Sequence, residues 1–142
     1  MHHISKGETL DNEKYINFCL GPAIKEVIKQ RPSSGTRSIK LLQDNVRPHV
    51  HSNVYNFLQS NGIQIIDHPP YSPDLAPCDY WLFDYIKQRL GDQKDEDSLH
   101  KSITKILKSI PHQDYIKKFK KYIERLEYCI NVENKYFEYL MK

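Results

Sequence analysis

Two aspartates, Asp44 and Asp79, stand where a carboxylate can do chemistry, with 34 residues between them. Asp44 closes a short apolar run, Ser38-Ile39-Lys40-Leu41-Leu42-Gln43. Asp79 follows a loop from Asp67 to Cys78 that carries four prolines, Pro69, Pro70, Pro73 and Pro77. Two carboxylates paired across adjacent elements can bind hard divalent cations, because Mg²⁺ takes oxygen ligands and retains several of its waters. Two such ions about 4 Å apart activate a water or hydroxyl and stabilise the leaving oxygen in phosphodiester chemistry. The competing reading is structural, since an acid at a helix start is a favourable cap. Zinc held by His49, His51, Asp44 and His68 is a weaker alternative, because His49 and His51 point to different sides of a helix start.

The elements that must position these residues are readable in the chain. Asp11 or Asn12 caps a helix running to about Gln30, with Leu20, Ile24, Val27 and Ile28 on one face and an interruption at Gly21-Pro22. Ser38–Gln43 reads as a buried strand. After Pro48 a helix presents Val50, Val54, Phe57 and Leu58 and stops at Gly62, and Ile63–Ile66 is a second strand. Strand, helix, strand within about 30 residues is a βαβ unit with parallel strands. Functional groups of such sheets gather at the carboxyl ends of the strands, where Asp44 and His68 fall. The proline loop is stiff and delivers Asp79 to the start of a helix with Leu82, Ile86 and Leu90. Asp97-Ser98 caps a further helix, and after Pro111 a last one has Tyr115, Phe119, Tyr122, Ile123, Leu126 and Ile130 in register. The expectation is one α/β domain over residues 1–142, with its α/β core in 1–91 and a helical cover in 92–142. Residues 1–6 read as the end of a strand.

Charge is unevenly spread. The chain has 142 residues and a net charge of +3, yet residues 44–79 hold four acidic and one basic side chain, while residues 80–142 hold thirteen basic and ten acidic. Negative charge therefore gathers where a cation site needs it. The lysines Lys117, Lys118, Lys120 and Lys121 can contact phosphates, though a solvated helix face explains them as simply. Tyr80, Trp81, Phe83 and Tyr85 can stack on bases, but their helical spacing reads more readily as core. Cys19, Cys78 and Cys129 are few and far apart, which argues for reduced intracellular thiols. No apolar run is long enough to span a bilayer and no signal-peptide core opens the chain, so a soluble intracellular protein with no membrane partner is expected. His2 and His3 are either native or part of an affinity tag.

Gln43-Asp44-Asn45-Val46-Arg47-Pro48-His49, followed by His68-Pro69-Pro70-Tyr71-Ser72-Pro73-Asp74-Leu75-Ala76-Pro77-Cys78-Asp79-Tyr80-Trp81-Leu82-Phe83, resembles the mariner-type transposases of the DDE/D superfamily. The segments Lys6–Tyr15 and Arg125–Leu140 extend the resemblance to nearly the whole chain, with Leu126 where the family usually has Trp. The resemblance implies a ribonuclease H-like fold and metal-dependent cleavage and transfer of DNA at transposon ends. It implies Asp44 and Asp79 as the second and third catalytic acids, holding Mg²⁺ or Mn²⁺, with Asn45, His49 and the loop Pro70–Pro77 around them. It further implies DNA as partner, a homodimer or pairing with an intact transposase, and a nuclear location. The family's first catalytic Asp and first strands have no counterpart in these residues, nor does its DNA-binding region. A fragment inactive by itself is therefore expected, with a non-catalytic DNA-binding or dimerising remnant of a transposable element as the alternative.

Overall fold

The computed structural model describes residues 8–131. The expected strand at residues 1–6, His2 and His3, and the part of the C-terminal match beyond residue 131 lie outside them. Packing divides the chain into two units, residues 1–70 and 71–142.

In the first unit the chain enters a helix because Asp11 accepts a hydrogen bond from the Lys14 amide at 2.8 Å, satisfying one of the free donors of the first turn. The helix runs as α1 (Asn12–Lys14), a π turn (Tyr15–Leu20) and α2 (Gly21–Gln30). The interruption expected at Gly21-Pro22 takes the form of that π turn. The Gly21 amide reaches back five residues to the Ile16 carbonyl. A Cβ on residue 21 would lie 3.1 Å from that oxygen, so glycine suits the wide turn. Strand β1 (Lys40–Leu42) is shorter than the apolar run that predicts it, because Ser38 turns the backbone left-handed at φ 64. It pairs in parallel with β2 (Gln64–Ile66), Leu41 opposite Ile65. The βαβ reading therefore holds.

Between the strands lies α3 (Ser52–Ser60), and here the expectation needs correcting. The helix does not begin directly after Pro48. The His51 ring caps it by accepting from the Asn53 amide at 3.2 Å, so Val50 stays in the preceding turn and is 59% exposed. Val54 and Leu58 do face inward, fully buried with Leu20, Ile24 and Ile63 in one core. Gly62 ends the helix with φ 70, a backbone conformation glycine adopts at little cost.

The second unit begins at Tyr71 with a 3₁₀ turn (Pro73–Leu75) and a π turn (Cys78–Leu82) that continues as α4 (Phe83–Lys87). Then come α5 (Glu96–Ser109) and α6 (His112–Asn131). The α5 cap is Asp95, not Asp97. Asp95 accepts from the Ser98 amide at 2.7 Å while Ser98 Oγ accepts from the Asp95 amide, a reciprocal capping box that leaves Asp97 in the first turn. Trp81 packs edge-on against Tyr115, ring centres 5.4 Å apart, and against Tyr85. The helix after the proline loop thus packs with α6, in the unit that begins at Tyr71. On α6 the expected apolar stripe is only partly covered. Tyr122 is buried together with Arg125, while Phe119, Ile123 and Ile130 are exposed.

Candidate functional site

The parallel pair brings its carboxyl ends to one cleft of about 800 Å³, lined among others by Asp44, Asn45, His49, Asp67 and His68. Asp44 lies just past β1 and its carboxylate is about half exposed. A tight turn closed by the bond from the His49 amide to the Val46 carbonyl carries the imidazole back over Asp44. His49 Nδ1 stands 2.5 Å from Asp44 Oδ1. An ionised carboxylate only accepts, so Nδ1 donates here and the other carboxylate oxygen is left for a ligand. Asn45 donates to the His68 carbonyl at 2.7 Å, which ties the end of β1 to the end of β2.

Behind His49 is a support that sequence patterns do not show. Tyr15 lies against the imidazole with ring centres 4.1 Å apart, and its hydroxyl donates to Gln43 at 3.2 Å. Gln43 in turn donates to the His49 carbonyl at 3.0 Å. Burial, then the Cys19 and Asp44 charges, push the Tyr15 hydroxyl up to about 12 from an ordinary 10. The folded state therefore favours the neutral phenol. That contribution is whole below pH 10 and is lost as pH rises through about 12. At about 1.4 kcal/mol per unit, reduced by partial solvent screening, it amounts to at most about 2 kcal/mol. Stability of wild type and Tyr15→Phe, measured by urea unfolding at pH 9 and pH 12, is expected to show a shallower alkaline fall in the variant. Parallel falls would rule out this role for the phenol.

In the second unit, Asp79 is exposed in the first turn after Pro77. Its amide bonds the Ala76 carbonyl at 2.9 Å, and its carboxylate makes no hydrogen bond or ion pair among the described residues. Asp79 thus makes no side-chain cap hydrogen bond, while it keeps the first-turn position of an acid at a helix start. The zinc alternative does not form, because His51 is spent on capping α3 while His49 turns to Asp44. Among the described residues no group of three or more His, Cys, Asp or Glu is disposed to hold a metal. A hard cation fits Asp44 as one oxygen ligand beside water, and needs further carboxylates to be held firmly.

The basic and aromatic candidates separate as well. Lys117 and Lys120 are exposed, whereas Lys118 lies 5.7 Å over the Trp81 ring and Lys121 is half-buried. Trp81, Tyr80 and Tyr85 are engaged within the unit, and Phe83 is exposed. Two groups escaped the sequence reading. Asp67 lines the Asp44 cleft, and its place directly after β2 was the available signal. Lys101, Lys105 and Lys108 form an exposed face of α5 with no ion pair among the described residues, and their i, i+4, i+7 spacing was legible.

No protein-family profile matches the chain. It is 28% identical over 140 residues to the histone-lysine N-methyltransferase SETMAR of Homo sapiens, and 27% identical over 139 residues to the Mariner Mos1 transposase of Drosophila mauritiana. In each case 95% of the chain is matched, but it spans only 20% and 40% of the two relatives. The crystal structure of the catalytic domain of Mos1 mariner transposase superposes with a TM-score of 0.81 at 29% identity, over 93% of this chain and 66% of that one. The resemblance to the mariner-type transposases holds. The ribonuclease H-like fold expected for a mariner-type catalytic domain holds with it. The Mos1 mariner paired end complex with Mn superposes equally well, TM-score 0.81 at 29% identity, covering 93% of this chain and 39% of that one. Divalent metal thus accompanies the mariner relatives.

Proposed function

We propose that Asp44 and Asp79 are two carboxylate ligands of the metal site of a mariner-type DNA transposase, serving cleavage and strand transfer at transposon ends with Mg²⁺ or Mn²⁺. The half-exposed carboxylate of Asp44, one oxygen held by His49 at the carboxyl end of a parallel strand in a chain similar to the mariner transposases, is the observation that supports it most. Bound metal would supply an activated water or hydroxyl and positive charge for the leaving oxygen. The chain's own residues bind and orient: His49 fixes one oxygen of Asp44, and Asn45 holds the strand ends together. Among the described residues no group of three or more metal-ligating side chains is assembled, so further ligands would complete the set. Lys117 and Lys120, together with Lys101, Lys105 and Lys108, would contact DNA phosphates and make binding fall with salt. The same reading brings pairing with a second copy or with an intact transposase, and work in the nucleus. No described helix is long and apolar enough to cross a membrane.

Calorimetric titration with Mn²⁺ of the chain and of Asp44→Ala and Asp79→Ala tests the reading. Heats lost in both variants are expected, and equal heats in all three proteins would sink it. Nicking of supercoiled DNA by the 142 residues alone is expected to stay at background, because members of a catalytic set act as a unit. The alternative, a non-catalytic remnant, is not favoured, since the matches fall on a transposase catalytic domain.

A further inference from the structure

We infer that Arg125 is a positioning residue, which holds the proline loop from α6 so that Asp79 is presented to a divalent cation in one orientation. This rests on the metal-site reading of Asp79 above. Arg125 is only 8% exposed, and a buried guanidinium is costly unless its donors and charge are engaged. Its Nη1 donates to the Asp74 main-chain carbonyl at 2.8 Å, and its guanidinium carbon lies 4.4 Å from the centre of the Tyr80 ring. The Tyr80 hydroxyl donates to the Lys118 carbonyl at 2.9 Å, two turns earlier on the same helix. Asp79 sits between these anchors, five residues after Asp74 and one before Tyr80. Local turns join them: Ala76 N–H bonds Pro73, and the amides of Asp79 and Tyr80 both bond the Ala76 carbonyl. One side chain of α6 therefore fastens the segment ahead of Asp79 and the residue behind it.

The chemistry of the anchor argues for orientation over bulk stability. Asp74 is 3% exposed, and both its Oδ1 and the Arg125 Nε lack hydrogen-bond partners. Buried charged side chains with unsatisfied atoms are poor stabilisers, and apolar side chains of similar volume would fill the space as well. A planar guanidinium, by contrast, can stack on a ring and hold a carbonyl in one fixed geometry.

The test uses the full 142-residue chain with Arg125→Lys, which keeps charge and stem but loses the planar fork. Mn²⁺ affinity, measured where circular dichroism shows the variant folded, is expected to fall about tenfold. Amide exchange at Ala76, Asp79 and Tyr80 is expected to rise about tenfold while α5 amides keep their rates. Asp74→Asn retains the main-chain acceptor, so Mn²⁺ affinity and loop exchange should stay near wild type. Mn²⁺ affinity unchanged in Arg125→Lys but abolished in Asp79→Ala would overturn the positioning role and leave the metal site standing. Absence of Mn²⁺ binding by the wild type would overturn both. Should Arg125→Lys unfold, Tyr80→Phe takes its place, since it cuts only the tie to Lys118. A fall in its Mn²⁺ affinity with faster loop exchange supports the positioning role, and wild-type values of both overturn it.

Discussion

Leu58→Ala is expected to cost the protein about 3 kcal/mol or more, the largest stability loss among single substitutions in the first unit. Leu58 has no exposed surface and sits among Leu20, Ile24, Val54 and Ile63, so truncation removes buried methyl groups and leaves a cavity that the short strands cannot collapse to fill. Against a total of about 5–15 kcal/mol for a domain, that is a large fraction. Val50→Ala provides the contrast. Val50 is equally apolar and only eight residues away, but it stands in the exposed turn before α3 and should cost no more than about 0.5 kcal/mol. Urea unfolding midpoints of the two variants check the pair. Equal losses would show that the core is not where the structure puts it.

His49→Ala is the second, and its effect falls on ligand binding. The imidazole bonds one oxygen of Asp44 and is itself held by Tyr15 and Gln43, so its removal frees the carboxylate to rotate into other orientations. Loss of a group that orients a metal ligand typically lowers affinity ten- to a hundredfold, and that range is expected here for Mn²⁺. Gln43→Ala should reproduce a smaller part of the loss, since it removes the tie to the His49 carbonyl and leaves the imidazole in place. An unchanged Mn²⁺ affinity in His49→Ala would mean that the contact does not serve the site. Unfolding curves of the same variants separate this from general destabilisation.

Local chemistry made much of the fold legible. Leu20 and Ile24, and again Val54 and Leu58, repeat at helical spacing and all four are buried. Gly62 closes α3 as a glycine after a helix should, and the strand-helix-strand order led directly to the parallel pair. Two of the misses share a cause, which is competition between neighbouring residues that each satisfy a rule. Both Asp95 and Asp97 can cap, and Asp95 wins because Ser98 returns its bond. Val50 fits the apolar stripe of α3, but the His51 ring takes the cap and excludes it from the helix. On α6 the apolar stripe rightly included Tyr122, but it also held Phe119 and Ile123, which are exposed, because covering depends on which elements lie opposite. The buried positions prove to be Tyr122 and Arg125, against the turn that carries Asp74.

The resemblance to the mariner-type transposases was legible in residue order alone, because a long run of specific residues around Asp44 and Asp79 leaves little room for another reading. How those acids are held was not legible there, and folding settles it. His49 is carried onto Asp44 by a turn, Tyr15 reaches His49 from a helix 34 positions earlier, and Arg125 reaches the loop before Asp79 from 51 positions beyond Asp74. Contacts at such separations leave no period or spacing in the chain. They exist because packing brings distant side chains to the same few ångströms, where one hydrogen bond or one stacked ring fixes the direction in which a carboxylate points.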